Sequence, residues 1–316
     1  MPDALQPPDK PERPRERPLV SVAVITRNRA QSLERTLRAL GELTYPRYEV
    51  IVVDNGSTDG TARLVERFPV RYVYAPISDG ISGARQRGVE AARGEVVAMC
   101  DDDCLPRPGW LESYVERFLA EPDLGLLGGH VNNIGFPGAR QFKGRTKLGK
   151  NGELRFVVDP AAADYFGNLN MAVRVEALRT FGGYDPFFKA GREEIDLAES
   201  VRGAGYRVAY EPRAVVEHYF TGINYKRGRL FYDQYLMRLY FFFKHFRPRS
   251  FGEWWRFATY ETRLLGRELL RAAKALAAAL VRLKLARLPA VALDIVNVTA
   301  ARAAIPWLLW RTRKGR

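Results

Sequence analysis

The chain has 316 residues, 47% of them hydrophobic, which is enough for one large α/β domain or a domain plus an extension. Its only two cysteines, Cys100 and Cys104, exclude a disulfide framework and point to a reducing compartment. The net charge of +14 is confined to one end: residues 225–316 carry 20 Lys/Arg against 5 Asp/Glu, whereas residues 1–224 carry 30 against 31. That split predicts two functional regions and a polyanionic partner for the second, either a membrane surface or a nucleic acid.

Residues 1–17 hold five prolines and alternating charges with no apolar run, which reads as a disordered tail and not as a signal peptide. Order begins with a strand over 19–25, followed by the polar Thr26-Arg27-Asn28-Arg29 and a helix whose Leu33, Leu37 and Leu40 share a face. A second strand over 48–53 runs into Asp54-Asn55-Gly56-Ser57-Thr58-Asp59-Gly60, a tight turn into a helix with Ser57 or Thr58 as the expected N-cap. A third strand over 71–74 and a helix carrying Gly83, Arg85, Arg87 and Gly88 lead to Gly94. Next, a continuous apolar strand over 96–100 stops abruptly in Asp101-Asp102-Asp103. The order βαβαβαβ predicts a doubly wound, mostly parallel sheet of Rossmann-like form, with a nucleotide-sized site across the strands' carboxyl ends.

After Pro108 a helix carries Trp110, Leu111, Tyr114 and Phe118, and residues 124–131 return as a strand. Residues 132–164 are Gly-rich and basic, with an Asn151-Gly152 turn, and read as a mobile insertion or a hairpin. There follow a short helix to Phe181, a helix opening at Glu193-Glu194-Ile195-Asp196, and two strands, over 206–210 and 214–217, that end at His218. Beyond Asn224 the composition turns aromatic and basic, so the expected regions are a tail over 1–17, a catalytic α/β domain over 18–224 and a helical extension over 225–316.

Three adjacent carboxylates at a strand's end repel one another unless a cation or solvent offsets them, and hard oxygen ligands suit Mg²⁺ or Mn²⁺ carrying a phosphorylated substrate. A solvated acidic turn is the alternative. Asp54, also at a strand end, can accept from a ribose hydroxyl or a base N–H, or organise the Asn55-Gly56 corner as an Asx-turn. An acid pair at a helix start, as in Glu193-Glu194, is either a general base or a favourable partner of the helix dipole.

Taken together, the runs Val22 to Arg29, Val52 to Asp59, Gly83-Ala84-Arg85-Gln86-Arg87-Gly88, Asp101 to Asp103, Gly183-Tyr184-Asp185, Gly191 to Leu197 and His218 resemble glycosyltransferase family 2. These enzymes have the GT-A fold and use nucleotide-sugars. The resemblance spans about two thirds of the chain. It implies that Thr26, Arg27, Asn28 and Asp54 hold the nucleoside and that Gly83, Arg85 and Arg87 lie toward the diphosphate. Asp101 or Asp102 would touch ribose or sugar, with Asp103 as metal ligand and His218 as a metal or phosphate contact. Glu193 or Glu194 would be the general base, with Asp196 in a positioning role. Where the family carries Asp at the second position of the pair this chain has Glu, so which of the two is the base stays open. The implied cofactor is Mg²⁺ or Mn²⁺, and the implied reaction is inverting transfer of a hexosyl or deoxyhexosyl unit from a nucleoside-diphosphate sugar to an acceptor hydroxyl.

In the basic C-terminal region, apolar residues and Trp254, Trp255, Trp307 and Trp310 interleave with Arg and Lys, without the ~20 uninterrupted apolar residues a spanning helix needs. That pattern predicts a packed first helix through Phe246 and, beyond it, interfacial helices on an anionic membrane. The expected acceptor is a lipid-linked glycan or cell-envelope precursor handled at the cytoplasmic face, with nucleic acid the less fitting partner. Two competing functions are nucleotidyl transfer to a sugar phosphate, which needs an early Gly-rich phosphate loop absent here, and a non-catalytic carbohydrate- or nucleic-acid-binding relative of the fold.

Overall fold

The computed structural model describes residues 17–135, 144–149, 154–189, 191–219, 227–281 and 288–314; all but the last residue of the expected 1–17 tail, and the Asn151-Gly152 turn, lie outside the described residues. The first half follows the predicted alternation. Strands β1 (Val20–Thr26), β2 (Tyr48–Asp54), β3 (Arg71–Tyr74) and β4 (Val96–Asp101) are parallel, connected through helices α1 (Ala30–Leu40), α2 (Thr61–Val65) and α3 (Gly80–Ala91). Strand β1 is buried along its whole length, which its unbroken apolar run requires, and α1 turns Leu33, Leu37 and Leu40 inward. The second half adds β5 (Cys104–Pro106), α4 (Trp110–Ala120), β6 (Leu124–Ile134), β10 (Asn170–Arg174), α5 (Val175–Phe181), α6 (Glu193–Gly203) and β11 (Arg207–Tyr219). A separate three-stranded antiparallel sheet of β7 (Arg145–Leu148), β8 (Leu154–Phe156) and β9 (Tyr165–Phe166) realises the hairpin alternative for the 132–164 segment.

The main sheet runs β3-β2-β1-β4-β10-β6-β11-β5, with β10 antiparallel to both neighbours and β5 antiparallel to β11. Register, more than strand order, builds the site. Thr26 pairs with Asp54, and Ile25 with Asp101, so the carboxyl ends of β1, β2 and β4 finish level. The reversed β10 starts at that same edge, with Asn170 beside Cys100, and His218 of β11 pairs with Cys104.

Two local expectations are corrected, and one short strand is new. The two last strands are one, β11, broken by an irregularity between Glu211 and Val215 where Ala214 carbonyl accepts from Asn170 Nδ2 at 2.9 Å. Residues 104–106 are an edge strand, a place where Pro106 is tolerated because no ladder needs its missing N–H. Neither Ser57 nor Thr58 caps α2; Asp59 Oδ1 accepts from Thr61 N at 3.0 Å, while Ser57 Oγ accepts from Asn28 N at 2.9 Å and Thr58 N donates to Asn28 Oδ1 at 2.7 Å.

The two larger apolar cores lie on the two faces of the sheet, and a smaller third joins Ile25, Ile51 and Val53 to Ala84 of α3. One joins Leu33, Leu37, Trp110, Tyr114 and Phe118 of α1 and α4 to Val22, Val52 and Ala98. The other joins Met99, Leu126 and Met171 to Ile195 and Val201 of α6 and to Leu239, Phe241 and Phe243 of α7 (Arg227–His245). Three further helices follow, α8 (Phe251–Val281), α9 (Leu288–Ala303) and α10 (Ile305–Lys314), and Leu308 of α10 reaches the same core.

Candidate active site

The three acids leave β4 in different surroundings. Asp102 Oδ2 accepts from Thr26 Oγ1 at 2.7 Å and its Oδ1 from Arg29 Nη1 at 2.9 Å; the same nitrogen donates to Asp103 Oδ2 at 2.8 Å. Burial pushes the Asp102 carboxyl up to about 6, against the pull of Arg29 and Thr26. Asp103 keeps Oδ1 toward His218, whose Nε2 is 3.4 Å away, and His218 Nδ1 lies 2.7 Å from Asn133 Oδ1. Cys104 completes a cluster of potential metal ligands whose atoms all lie within 4.8 Å of one another.

Asp103 and His218 suit a divalent ion. Two adjacent ligands of an octahedral ion at ~2.1 Å are about 3 Å apart, close to the observed O–N spacing. The second ring nitrogen of His218 is fixed by Asn133, the arrangement that orients a ligating imidazole. Cys104 fits less well: burial pushes its thiol well up, and a protonated soft donor does not match hard oxygen ligands.

Arg85 ties the acids to α6. Its side chain is buried, Nη2 donates to Asp101 Oδ1 at 2.9 Å, and Nε lies 3.6 Å from Glu193 Oε1. Asn168 Nδ2 donates to that same Glu193 oxygen at 3.3 Å, and Tyr184 OH donates to Asn168 Oδ1. Arg85 Nη1 and Glu193 Oε2 are buried without a hydrogen-bond partner among the described residues. Helix α6 starts after Gly191 at φ 114 and Arg192 at φ 72, a left-handed corner that sets its entry. Its first turn carries Glu193, Glu194 and Asp196. Glu193 is buried, whereas Glu194 keeps partial access to solvent. Burial raises both carboxyls above the usual range, and the charge of Glu194 adds to the rise at Glu193.

Other expected residues fall at the same edge. Asp54 Oδ1 accepts from Ser57 N at 2.8 Å and its Oδ2 from Tyr72 OH at 2.9 Å, so the carboxylate braces the Asn55-Gly56 corner through a bond three residues on, not through the two-residue Asx-turn. Arg27 and Asn28 are exposed beside it, Asn28 at φ 52. Gly83 packs where a Cβ would stand 2.7 Å from Asp79 Cβ. Arg87 is the exception. Two residues beyond Arg85 is about 200° around a helix, so it points away and pairs with Asp79 at 2.7 Å instead of approaching the acids. Asp196 also turns away, accepting from His245 Nε2 at 2.7 Å and pairing with Lys244 Nζ at 2.8 Å on α7. Arg29 and Asn168 were given no role by the sequence; Arg29 closes the quoted Thr26-Arg27-Asn28-Arg29 run, and Asn168 carries no spacing signal.

The Glycosyl transferase family 2 model matches residues 21–182. The chain is 37% identical to glycosyltransferase AglE of Haloferax volcanii over 121 residues, 36% of this chain and 40% of that protein. It is 30% identical to the pre-mycofactocin glycosyltransferase of Mycobacterium tuberculosis over 205 residues, 63% of this chain and 42% of that protein. The chain thus spans about two fifths of the length of these relatives. Among solved structures it resembles the mannosyltransferase PcManGT from Pyrobaculum calidifontis in complex with GDP-Man and Mn²⁺, at 21% identity and TM-score 0.56, covering 93% of this chain and 88% of that one. The shared architecture is the GT-A fold. Since the family match runs from β1 through α5 and takes in Asp54, Arg85 and the three acids of β4, over half the chain, the protein belongs to glycosyl transferase family 2.

Proposed function

We propose that the chain is a metal-dependent, inverting glycosyltransferase that moves a hexosyl or deoxyhexosyl unit from a nucleoside-diphosphate sugar to an acceptor hydroxyl. The observation that carries the reading is the Asp101–Arg85–Glu193 chain, 2.9 and 3.6 Å per link, which joins the acidic strand end to the start of α6 across one sheet edge. Thr26, Arg27, Asn28 and Asp54 at the ends of β1 and β2 bind the nucleoside. The unpartnered Arg85 Nη1 is a charged donor for a phosphate oxygen, and its burial makes that contact stronger than it would be in water. Asp103 and His218 would hold a divalent ion, which supplies positive charge to the leaving diphosphate. Asp101 or Asp102 touches ribose or sugar.

Glu194 is the general base. It stands beside the buried Glu193, and of the two only Glu194 is open enough to meet an acceptor hydroxyl. Glu193, held by Asn168 and Arg85, positions α6. With one base and direct attack on the anomeric carbon, configuration inverts. Following the product by proton NMR at the first turnovers tests this: an α-linked donor gives a β-linked product, and retained configuration, or full turnover in EDTA, overturns the mechanism.

The acceptor is membrane-borne, a lipid-linked glycan or envelope precursor, and the protein is peripheral to the cytoplasmic face. No helix among the described residues is long and apolar enough to cross a membrane. Support comes from aromatic side chains left exposed on basic helices: Phe251 and Trp255 stack at 6.4 Å on α8, at 83% and 63% exposure, and Trp307 and Trp310 on α10 are about half exposed. Such residues anchor interfacial helices.

A further inference from the structure

The acid cluster carries its own cation. Arg29, immediately before α1, sends one guanidinium nitrogen between Asp102 Oδ1 at 2.9 Å and Asp103 Oδ2 at 2.8 Å. With Thr26 on Asp102 Oδ2, both oxygens of Asp102 are engaged, and Asp103 turns Oδ1 to His218 and Cys104. The acids are 5% and 9% exposed at their side chains, so their mutual repulsion is poorly screened and the guanidinium offsets it.

The two arginines paired with the acids of β4 differ in freedom. Arg85 is 3% exposed at its side chain and sits between Asp101 and Glu193 on a packed helix. Arg29 is 27% exposed and lies at the mouth of the same edge, so it alone can swing without opening the core. A divalent ion entering beside Asp103 meets a guanidinium already neutralising that carboxylate, and the two cations repel. A diphosphate reverses the balance, because its oxygens give the guanidinium a second, bidentate partner.

We propose that Arg29 is a resident counter-cation of the metal site: it guards Asp102 and Asp103 against free divalent ions and releases Asp103 when a diphosphate takes its guanidinium, so that metal and nucleotide bind interdependently. The nucleotide half rests on the glycosyl-transfer reading; the metal half stands on the acid cluster alone. Coupling of this kind is reciprocal, so the nucleotide gains from the metal the same factor the metal gains from the nucleotide.

The test is Mn²⁺ binding by the full chain, read from the electron paramagnetic resonance signal of free Mn²⁺, first alone and then with UDP or GDP. Wild type binds Mn²⁺ weakly by itself and at least tenfold more tightly with the nucleoside diphosphate it accepts. Arg29→Met binds Mn²⁺ alone at least tenfold more tightly than wild type, and its gain on adding nucleotide shrinks. Arg29→Lys, which keeps a charge but not the planar fork, falls between and serves in its place if the methionine variant does not fold. Mn²⁺ affinity in these variants equal to or below that of wild type overturns the proposal. Equal Mn²⁺ binding by Asp103→Ala overturns the metal site itself, whereas failure of both nucleotides to bind, with the Mn²⁺-alone difference intact, counts against only the donor reading.

Discussion

Glu193 and Glu194 are neighbours in sequence with different exposure, and the roles we propose for them rest on that difference. Glu193 faces inward to Asn168 and Arg85, and Glu194 is the one with access. Glu194→Gln is expected to lower kcat by ~10²–10⁴ while leaving nucleotide affinity within a few fold, measured by steady-state kinetics and calorimetry. The same loss from Glu193→Gln with Glu194→Gln active would reverse the pair. A base works ionised, and burial raises the Glu194 pKa, so the acid limb of kcat/KM lies above the ordinary carboxylate value of about 4.3 and activity increases as pH rises through it. Asp103→Ala is expected to abolish Mn²⁺-dependent donor binding with little change in unfolding temperature, since it removes no apolar packing and leaves Arg29 paired with Asp102. The acids and Asp54 were legible because each ends an apolar strand, and the Glu pair because it opens a helix. Arg29 and Asn168 were not, because their partners stand 73 and 25 residues away and no local spacing reports such a meeting.

At the scale of elements, α6 is fixed from two sides, by Arg85 of α3 and by α7. Lys244 of α7 bridges Asp185 at 2.9 Å and Asp196 at 2.8 Å, and Tyr240 OH donates to Asp185 Oδ2 at 2.8 Å. Lys244→Met takes the cation from the partly buried Asp185 and leaves the buried Asp196 with His245, and is expected to cost about 3 kcal/mol in denaturant unfolding at neutral pH. Burial opposes the Asp185 charge, but Lys244 outweighs it and holds that carboxyl below its usual range; the carboxylates likewise hold Lys244 above its own. The difference between variant and wild type should therefore be fully present between about pH 5 and 9. It should shrink as pH falls below the unfolded Asp value of about 3.9 and as it rises past the unfolded Lys value of about 10.4. In β6, a Cβ at Gly128 would lie 1.8 Å from Phe166 Cγ, so Gly128→Ala is expected to cost ~3 kcal/mol or to prevent folding, read by the same titration. The parallel half of the sheet was legible from the βα alternation. The reversed β10 and the fused β11 were not: an all-buried strand shows the same apolar run in either direction, and the Pro212-Arg213 interruption reads as a loop although Glu211 and Arg213 close it at 3.0 Å within one strand.

For the whole molecule, the charge split separates a balanced catalytic region from a basic, aromatic one, a division we propose as functional. The packing changes how this can be tested. Leu308 and Ala301 are fully buried, so truncating the last helices would uncover core, and surface substitution is the cleaner test. Phe251→Ala with Trp255→Ala is expected to reduce sedimentation with anionic liposomes several fold while leaving turnover of a soluble acceptor unchanged. Equal recovery in the supernatant with anionic and neutral vesicles for wild type would leave these helices as packing elements. The central claim is that this sheet edge cleaves a nucleoside-diphosphate sugar with the help of a divalent ion. It is met most directly by incubating the full chain and Asp103→Ala with a panel of UDP-, GDP- and dTDP-sugars in Mn²⁺ and reading the nucleoside diphosphate released. The account predicts release from one nucleotide class by wild type, lost in EDTA and in Asp103→Ala. Release by Asp103→Ala equal to that of wild type, or none from any donor despite bound nucleotide, would contradict it.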